Sequence, residues 1–130
     1  MPDLDVVGHE PEPVHALAYV STPTVPFSDR DLSDLLLSAR RWNAEHQITG
    51  KLLVLEDADG TLVRFAQWLE GAPRQLAACL DRIRADPRHR TQDVQHHGRV
   101  AGRRFPGWDM DFENVDPAAF DAEAGALRTP

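Results

Sequence analysis

Three hydrogen-bonding side chains stand where the pattern around them is apolar. Tyr19 lies within Leu17-Ala-Tyr-Val20, Gln67 within Phe65-Ala-Gln-Trp-Leu69, and Asn43 one turn beyond Ala39 on the inward side of a helical stripe. A phenol or carboxamide kept inside a small domain costs roughly 1–3 kcal/mol unless it finds partners. Three such groups point either to a self-satisfied polar cluster or to a ligand with polar edges, and spacing alone leaves both readings open. The patterns that announce enzyme chemistry are missing: there are no paired carboxylates, zinc-ligand spacing or phosphate-binding loop. His96-His97 fails as a chelating pair because adjacent strand residues point to opposite faces, so it reads as a solvated strand pair. Cys79, set among Ala77, Ala78 and Leu80, reads as a small core hydrophobe, and Arg103-Arg104 as a solvated bend.

The elements that must position Tyr19, Asn43 and Gln67 are legible from periodicity. Val14 to Ser21 alternates Val14, Ala16, Ala18 and Val20 against His15, Leu17, Tyr19 and Ser21, largely apolar on both faces as in a central strand. Ser28 is the expected N-cap of a helix running to about His46, with Asp29 and Asp31 complementing its dipole and Leu32, Leu35, Leu36, Ala39 and Trp42 on its apolar stripe. Ile48 to Leu55 and Thr61 to Leu69 form a hairpin around Asp59-Gly60. Gly71 and Pro73 open a second helix carrying Leu76, Leu80 and Ile83, which stops at Asp86-Pro87 because the residue before proline leaves helical space. Thr91 to Val100 and Trp108 to Phe112 are weaker strand candidates on either side of the bend Arg103 to Gly107. The order β-α-β-β-α-β-β fits an α+β, ferredoxin-like fold: one mixed, mainly antiparallel sheet with two helices on one face.

The chain has 130 residues, 42% of them hydrophobic, which suits one domain with its own core. Its 21 acidic against 14 basic side chains give a net charge of -7, which argues against a nucleic-acid partner. No apolar run suggests a signal peptide or membrane span, and the single cysteine makes no internal disulfide, so a cytoplasmic location is expected. Residues 1–13, acidic and proline-rich, read as a flexible lead-in; 14–113 as the domain; and 114–130 as a short tail holding at most one Ala-rich helix.

Six segments carry a resemblance: Leu17-Ala-Tyr19-Val-Ser21, Arg41-Trp-Asn43, Ile48-Thr-Gly50, Phe65-Ala-Gln67-Trp-Leu-Glu-Gly71, Ile83-Arg-Ala-Asp86-Pro-Arg-His89 and Arg104-Phe-Pro-Gly-Trp108-Asp-Met110. In this order they resemble the BLUF domain, a blue-light sensor using flavin, over Val14 to about Phe112. The resemblance implies a non-covalent flavin, FAD or alternatively FMN, between the two helices. It makes Tyr19 the light-active electron and proton donor, Gln67 the amide whose hydrogen bonds rearrange, and Asn43 the partner of the ring's polar edge. It puts Ile48 and Ile83 on the two sides of the ring, and Arg82, Asp86, Arg88 and His89 along the ribityl chain, phosphate or pyrimidine edge. Trp108 and Met110 become the last-strand pair that carries the switch outward.

Two features depart from the family pattern. The acidic tip Glu56 to Gly60 lengthens the hairpin, read as a tolerated loop extension. Trp42 stands before Asn43 where a polar or imidazole side chain is frequent, and is read either as stacking near the cofactor or as covering the helix interface. The implied function is a photoreceptor module without an attached effector, not an enzyme, signalling to a separate downstream protein or through a change of homo-oligomer. Its rivals are a scaffold of the same fold that has lost flavin or photochemistry, and a ferredoxin-like acyl-phosphate hydrolase using Asn43 and an arginine.

Overall fold

The computed structural model describes residues 13–127, apart from the side chains of residues 91–93 and 127. The lead-in assigned to residues 1–13 lies almost wholly outside this range. The elements are β1 (His15–Pro23), α1 (Asp29–Glu45), β2 (Thr49–Glu56), β3 (Leu62–Gly71), α2 (Pro73–Ala85), β4 (His89–Arg99), β5 (Asp111–Val115) and α3 (Pro117–Leu127). The strands lie in the order β4-β1-β3-β2-β5, with β2 and β5 parallel and the other pairs antiparallel. This is the α+β, ferredoxin-like arrangement read from the element order, extended at one edge by β5.

Local chemistry explains most boundaries. Ser28 and Asp31 form a reciprocal capping box, each side chain accepting the other's backbone N–H at 3.0 Å. Pro73 occupies the start of α2, where its missing N–H costs nothing. In the hairpin tip the Asp57 carboxylate accepts from the Asp59 and Thr61 amides at 2.9 and 3.0 Å, and Gly60 takes the positive φ of 79°. The acidic extension is thus a self-contained turn.

Strand alternation sorts the core into two layers. Leu17, Tyr19, Leu52, Val54, Phe65 and Leu69 pack beneath α1 and α2 with Leu36, Leu76 and Cys79. Ala16, Ala18, Leu53, Ala66 and Trp68 point the other way, where Phe120 of α3 covers them at 2% exposure. The segment read as a tail is therefore the helix that covers the second face, and the boundary at residue 113 falls inside β5. A face of small residues and one tryptophan leaves room for a single aromatic plug.

The last strand also needs correction. It begins at Asp111 rather than at Trp108, because the three carbonyls before it are used elsewhere. The Trp108 carbonyl accepts from the Gly50 amide at 3.0 Å, that of Asp109 from Asn43 Nδ2 at 2.8 Å, and that of Met110 from Arg40 Nε at 3.0 Å. Residues 103–110 wrap around the end of the sheet instead of extending it. Gly50 must be glycine here: a Cβ would lie 2.0 Å from the Trp68 carbonyl oxygen.

The candidate site: a cavity beneath the helix pair

Tyr19 and Gln67 are directly opposite each other on neighbouring strands β1 and β3. Period-two alternation turns both toward the helices, where they are 3% and 7% exposed. The Tyr19 hydroxyl donates to Gln67 Oε1, and Gln67 Nε2 lies 3.3 Å from Met110 Sδ. The central amide therefore uses its acceptor end on the phenol and its donor end on a thioether, which accepts only weakly. Burial raises the Tyr19 phenol well above its ordinary range, with smaller contributions from Cys79 and Asp86. It stays protonated, as its hydrogen bond to Gln67 requires.

These three residues share one cavity with Asn43, Arg82, Ile83, Asp86, Arg88 and His89, its remaining wall coming from Ser21, Leu35, Leu36, Ala39, Leu52, Phe65, Leu69 and Cys79. Asn43, 1% exposed on α1, is held by its bond to the Asp109 carbonyl, and Cys79 Sγ lies 3.9 Å from Asn43 Oδ1. Burial pushes the Cys79 thiol up to about 12, so it acts as an apolar wall atom. At the mouth Arg88 grips Asp86 through contacts of 2.7 to 3.1 Å. That hydrogen-bonded guanidinium lowers the Asp86 carboxyl below its usual range. His89 packs edge-on to Phe65, centroids 5.8 Å apart, and burial lowers its imidazole. Arg82 donates to Ser38 at 2.6 Å and lies 5.6 Å over the Trp42 ring.

Ile48, Trp108 and Trp42 are not among the residues that line the cavity. Ile48 is fully buried in the apolar layer that holds Tyr19, Leu52 and Leu69, beside Gly71, and follows Gln47 with its positive φ of 58°. Leu35, Leu36 and Leu52 supply the apolar lining on that side. Trp108 is half exposed in the loop before β5, stacked on Phe105 with centroids 5.7 Å apart, so only Met110 of that pair reaches Gln67. Trp42 takes the second of its two readings: packed against the core layer and lying under the Arg82 guanidinium of α2, it covers the helix interface and stacks on His46 at 3.7 Å.

Other participants were missed by the sequence reading. Ser21 shares the Tyr19 face, and alternation alone could have placed it in the wall. Arg40 gave no signal, because its partner is a backbone carbonyl seventy residues away. Arg103 and Arg104 are no solvated bend: Arg103 donates to Thr49 Oγ1 and to the Glu70 and Gln47 carbonyls, and Arg104 lies 4.5 Å over Trp68 and donates to the Ala126 carbonyl. His96 likewise stacks on Trp68, centroids 5.7 Å apart. Among the described residues no group of three or more His, Cys, Asp or Glu could hold a metal, and no helix is long and apolar enough to cross a membrane.

Two orphaned atoms describe what the cavity takes. Ser21 Oγ and His89 Nδ1 are buried in its wall with no hydrogen-bond partner, although the wall is otherwise mostly apolar. Such a lining fits a flat, largely apolar ligand bearing polar atoms at its edges. The family described as BLUF, sensors of blue-light using FAD, matches residues 14–111. The chain belongs to the BLUF family. It is a flavin-binding blue-light sensor, and the orphaned atoms and aliphatic wall suit the isoalloxazine ring that the family uses.

The BLUF relatives show the same fold in several settings. The chain is 37% identical over 95 residues to the photoactivated adenylate cyclase subunit beta of Euglena gracilis, a match covering 72% of this chain and 10% of that protein. It thus spans about a tenth of the curated relatives it matches. The dark-state structure of BlrB, a BLUF protein, superposes with a TM-score of 0.71 at 27% identity, covering 90% of this chain and 83% of that one. Klebsiella pneumoniae BlrP1, solved with FMN and cyclic diGMP, superposes at 0.66 with 27% identity, covering 90% of this chain and 31% of that one.

Proposed function

We propose that Tyr19 and Gln67 form the light-driven hydrogen-bond switch of this BLUF sensor, and that its output passes to a separate protein or a second copy of the chain rather than through catalysis by this domain. The observation that carries the switch reading is the buried chain from the Tyr19 hydroxyl through the Gln67 amide to Met110 Sδ. Bound in the cavity, a flavin supplies absorption of blue light and, once excited, an oxidant beside the phenol. Asn43 and the orphaned Ser21 and His89 atoms would hold its polar edges, Ile83 and the leucines its apolar faces, and Arg82, Arg88 and Asp86 the chain leaving the ring.

The protein side of the switch has a simple asymmetry. Turning the Gln67 amide over brings Nε2 toward the Tyr19 oxygen, which accepts as well as it donates; it gives up the weak bond to sulfur and leaves the phenol proton to another acceptor in the cavity, such as a polar edge of the ligand. Which of the two orientations is favoured therefore depends on what else the phenol can bond, while the buried surroundings exclude water that would blur them. The turned amide offers different groups to its neighbours in the cavity, Met110 among them. Met110 joins directly to β5, and the loop bearing it carries the exposed Trp108, a surface on which a partner could register the change. Within a cell the lone buried cysteine suits the reducing cytoplasm, where we place the sensor.

An absorption spectrum recorded before and after blue light tests this reading. We expect a yellow protein whose flavin band moves to the red under illumination and returns in the dark. A protein that stays colourless after flavin is added, or a yellow one with no shift, overturns it.

A further inference from the structure

The most demanding polar group in the molecule lies outside the cavity. Glu70 of β3 is fully buried, three residues from Gln67 and on the opposite face of the strand, beside Trp68. Four donors converge on its two oxygens. Oε2 accepts from Thr49 Oγ1 at 2.7 Å and the Phe105 amide at 2.8 Å, and Oε1 accepts from Trp68 Nε1 at 2.8 Å and the Arg104 amide at 2.7 Å. A carboxylate is the one common side chain that accepts at both oxygens and donates at neither. Two of those donors are backbone groups of the loop joining β4 to β5, and Arg103 fastens the same loop to Thr49, Gln47 and the Glu70 carbonyl.

That loop is the one that delivers Met110 to Gln67. It is fastened to one face of β3 through Glu70 and reaches the other through the Trp108, Asp109 and Met110 carbonyls. We propose that Glu70 is a positioning residue for the light switch: by fixing the Arg104 and Phe105 backbone it sets how closely Met110 approaches Gln67, and so how long the switched amide persists in the dark. The inference rests on the Tyr19–Gln67 reading above. Its physical basis is that the Gln67–Met110 contact is a weak bond to sulfur at 3.3 Å, so small shifts of the loop alter the balance between the two amide orientations.

The test uses the flavin-loaded protein. In Glu70→Gln one carboxylate oxygen becomes an NH2 group facing a backbone N–H, so the loop must give way at Arg104 or Phe105. The expected result is a wild-type dark spectrum and flavin content with a dark-recovery rate changed severalfold. The same substitution in a Met110→Leu background should leave recovery at the Met110→Leu rate, because the contact through which Glu70 acts is already gone. Recovery at the wild-type rate in Glu70→Gln, or the same fold-change in both backgrounds, overturns the proposal, since a purely structural role would act whatever stands at 110. Should Glu70→Gln not fold, Thr49→Val, which removes one donor and keeps the carboxylate, is judged by the same two criteria. A wild type without any red shift overturns the switch reading itself, and the inference with it.

Discussion

Replacing Gln67 by leucine tests the centre of the site with almost no change of volume. The Tyr19 hydroxyl, 3% exposed, loses its acceptor and has no water to turn to once the cavity is filled. An orphaned buried donor costs about 1–3 kcal/mol. Tyr19→Phe does the reverse, leaving Gln67 Oε1 without its donor at a cost in the same range. Changing both residues leaves neither orphan, and such paired apolar replacement is nearly neutral. The double variant should therefore be more stable than the sum of the single changes by about 2–6 kcal/mol. Urea unfolding at saturating FAD measures this coupling, and difference spectra recorded on the same samples measure photochemistry. All three variants should stay yellow and lose the light-induced red shift. Additivity within about 0.5 kcal/mol would show that the phenol and amide are not energetically joined. A full red shift in Gln67→Leu would remove the amide from the mechanism.

Three further outcomes follow from the geometry. Cys79, with its thiol pushed up to about 12 by burial, should resist alkylation at neutral pH in the folded protein and react fully in urea, as mass spectrometry of labelled samples would read. Phe120→Ala removes the aromatic plug of the second face and should cost about 3–5 kcal/mol, with α3 becoming sensitive to limited proteolysis while the cavity still takes flavin. Asp86, whose carboxyl is lowered by Arg88, contributes stability that is complete above the ordinary carboxylate range, about pH 4, and is lost as the pH falls through its depressed folded value. Urea midpoints of wild type and Asp86→Asn should therefore differ at neutral pH and converge on acidification.

How much of this was legible in the sequence depended on how local the causes are. The Ser28 cap, the turn at Gly60 and the inward side of α1 with Asn43 all rest on residues within a turn of one another, and each lies where the pattern put it. Period-two alternation likewise carried Gln67 to the same side as Phe65 and Leu69. The start of β5 was misplaced because the Trp108, Asp109 and Met110 carbonyls are claimed by Gly50, Asn43 and Arg40, far away in the chain. Ile48 lies in the same buried layer as Tyr19 and Leu69, but beside Gly71, a neighbour that strand and helix periodicity do not announce.

The sequence by itself determined the family, the element order and the pair Tyr19 and Gln67, because alternation, caps and a run of family-specific segments need no knowledge of distant contacts. Only the tertiary structure decided which residues share the cavity wall, that Met110 rather than Trp108 meets Gln67, and that α3 closes the second face of the sheet. It alone decided the place of Glu70, a residue type that belongs on the surface until four donors from three segments converge on it. Burial of a carboxylate is settled by partners that the chain brings together only on folding, and no local pattern announces them.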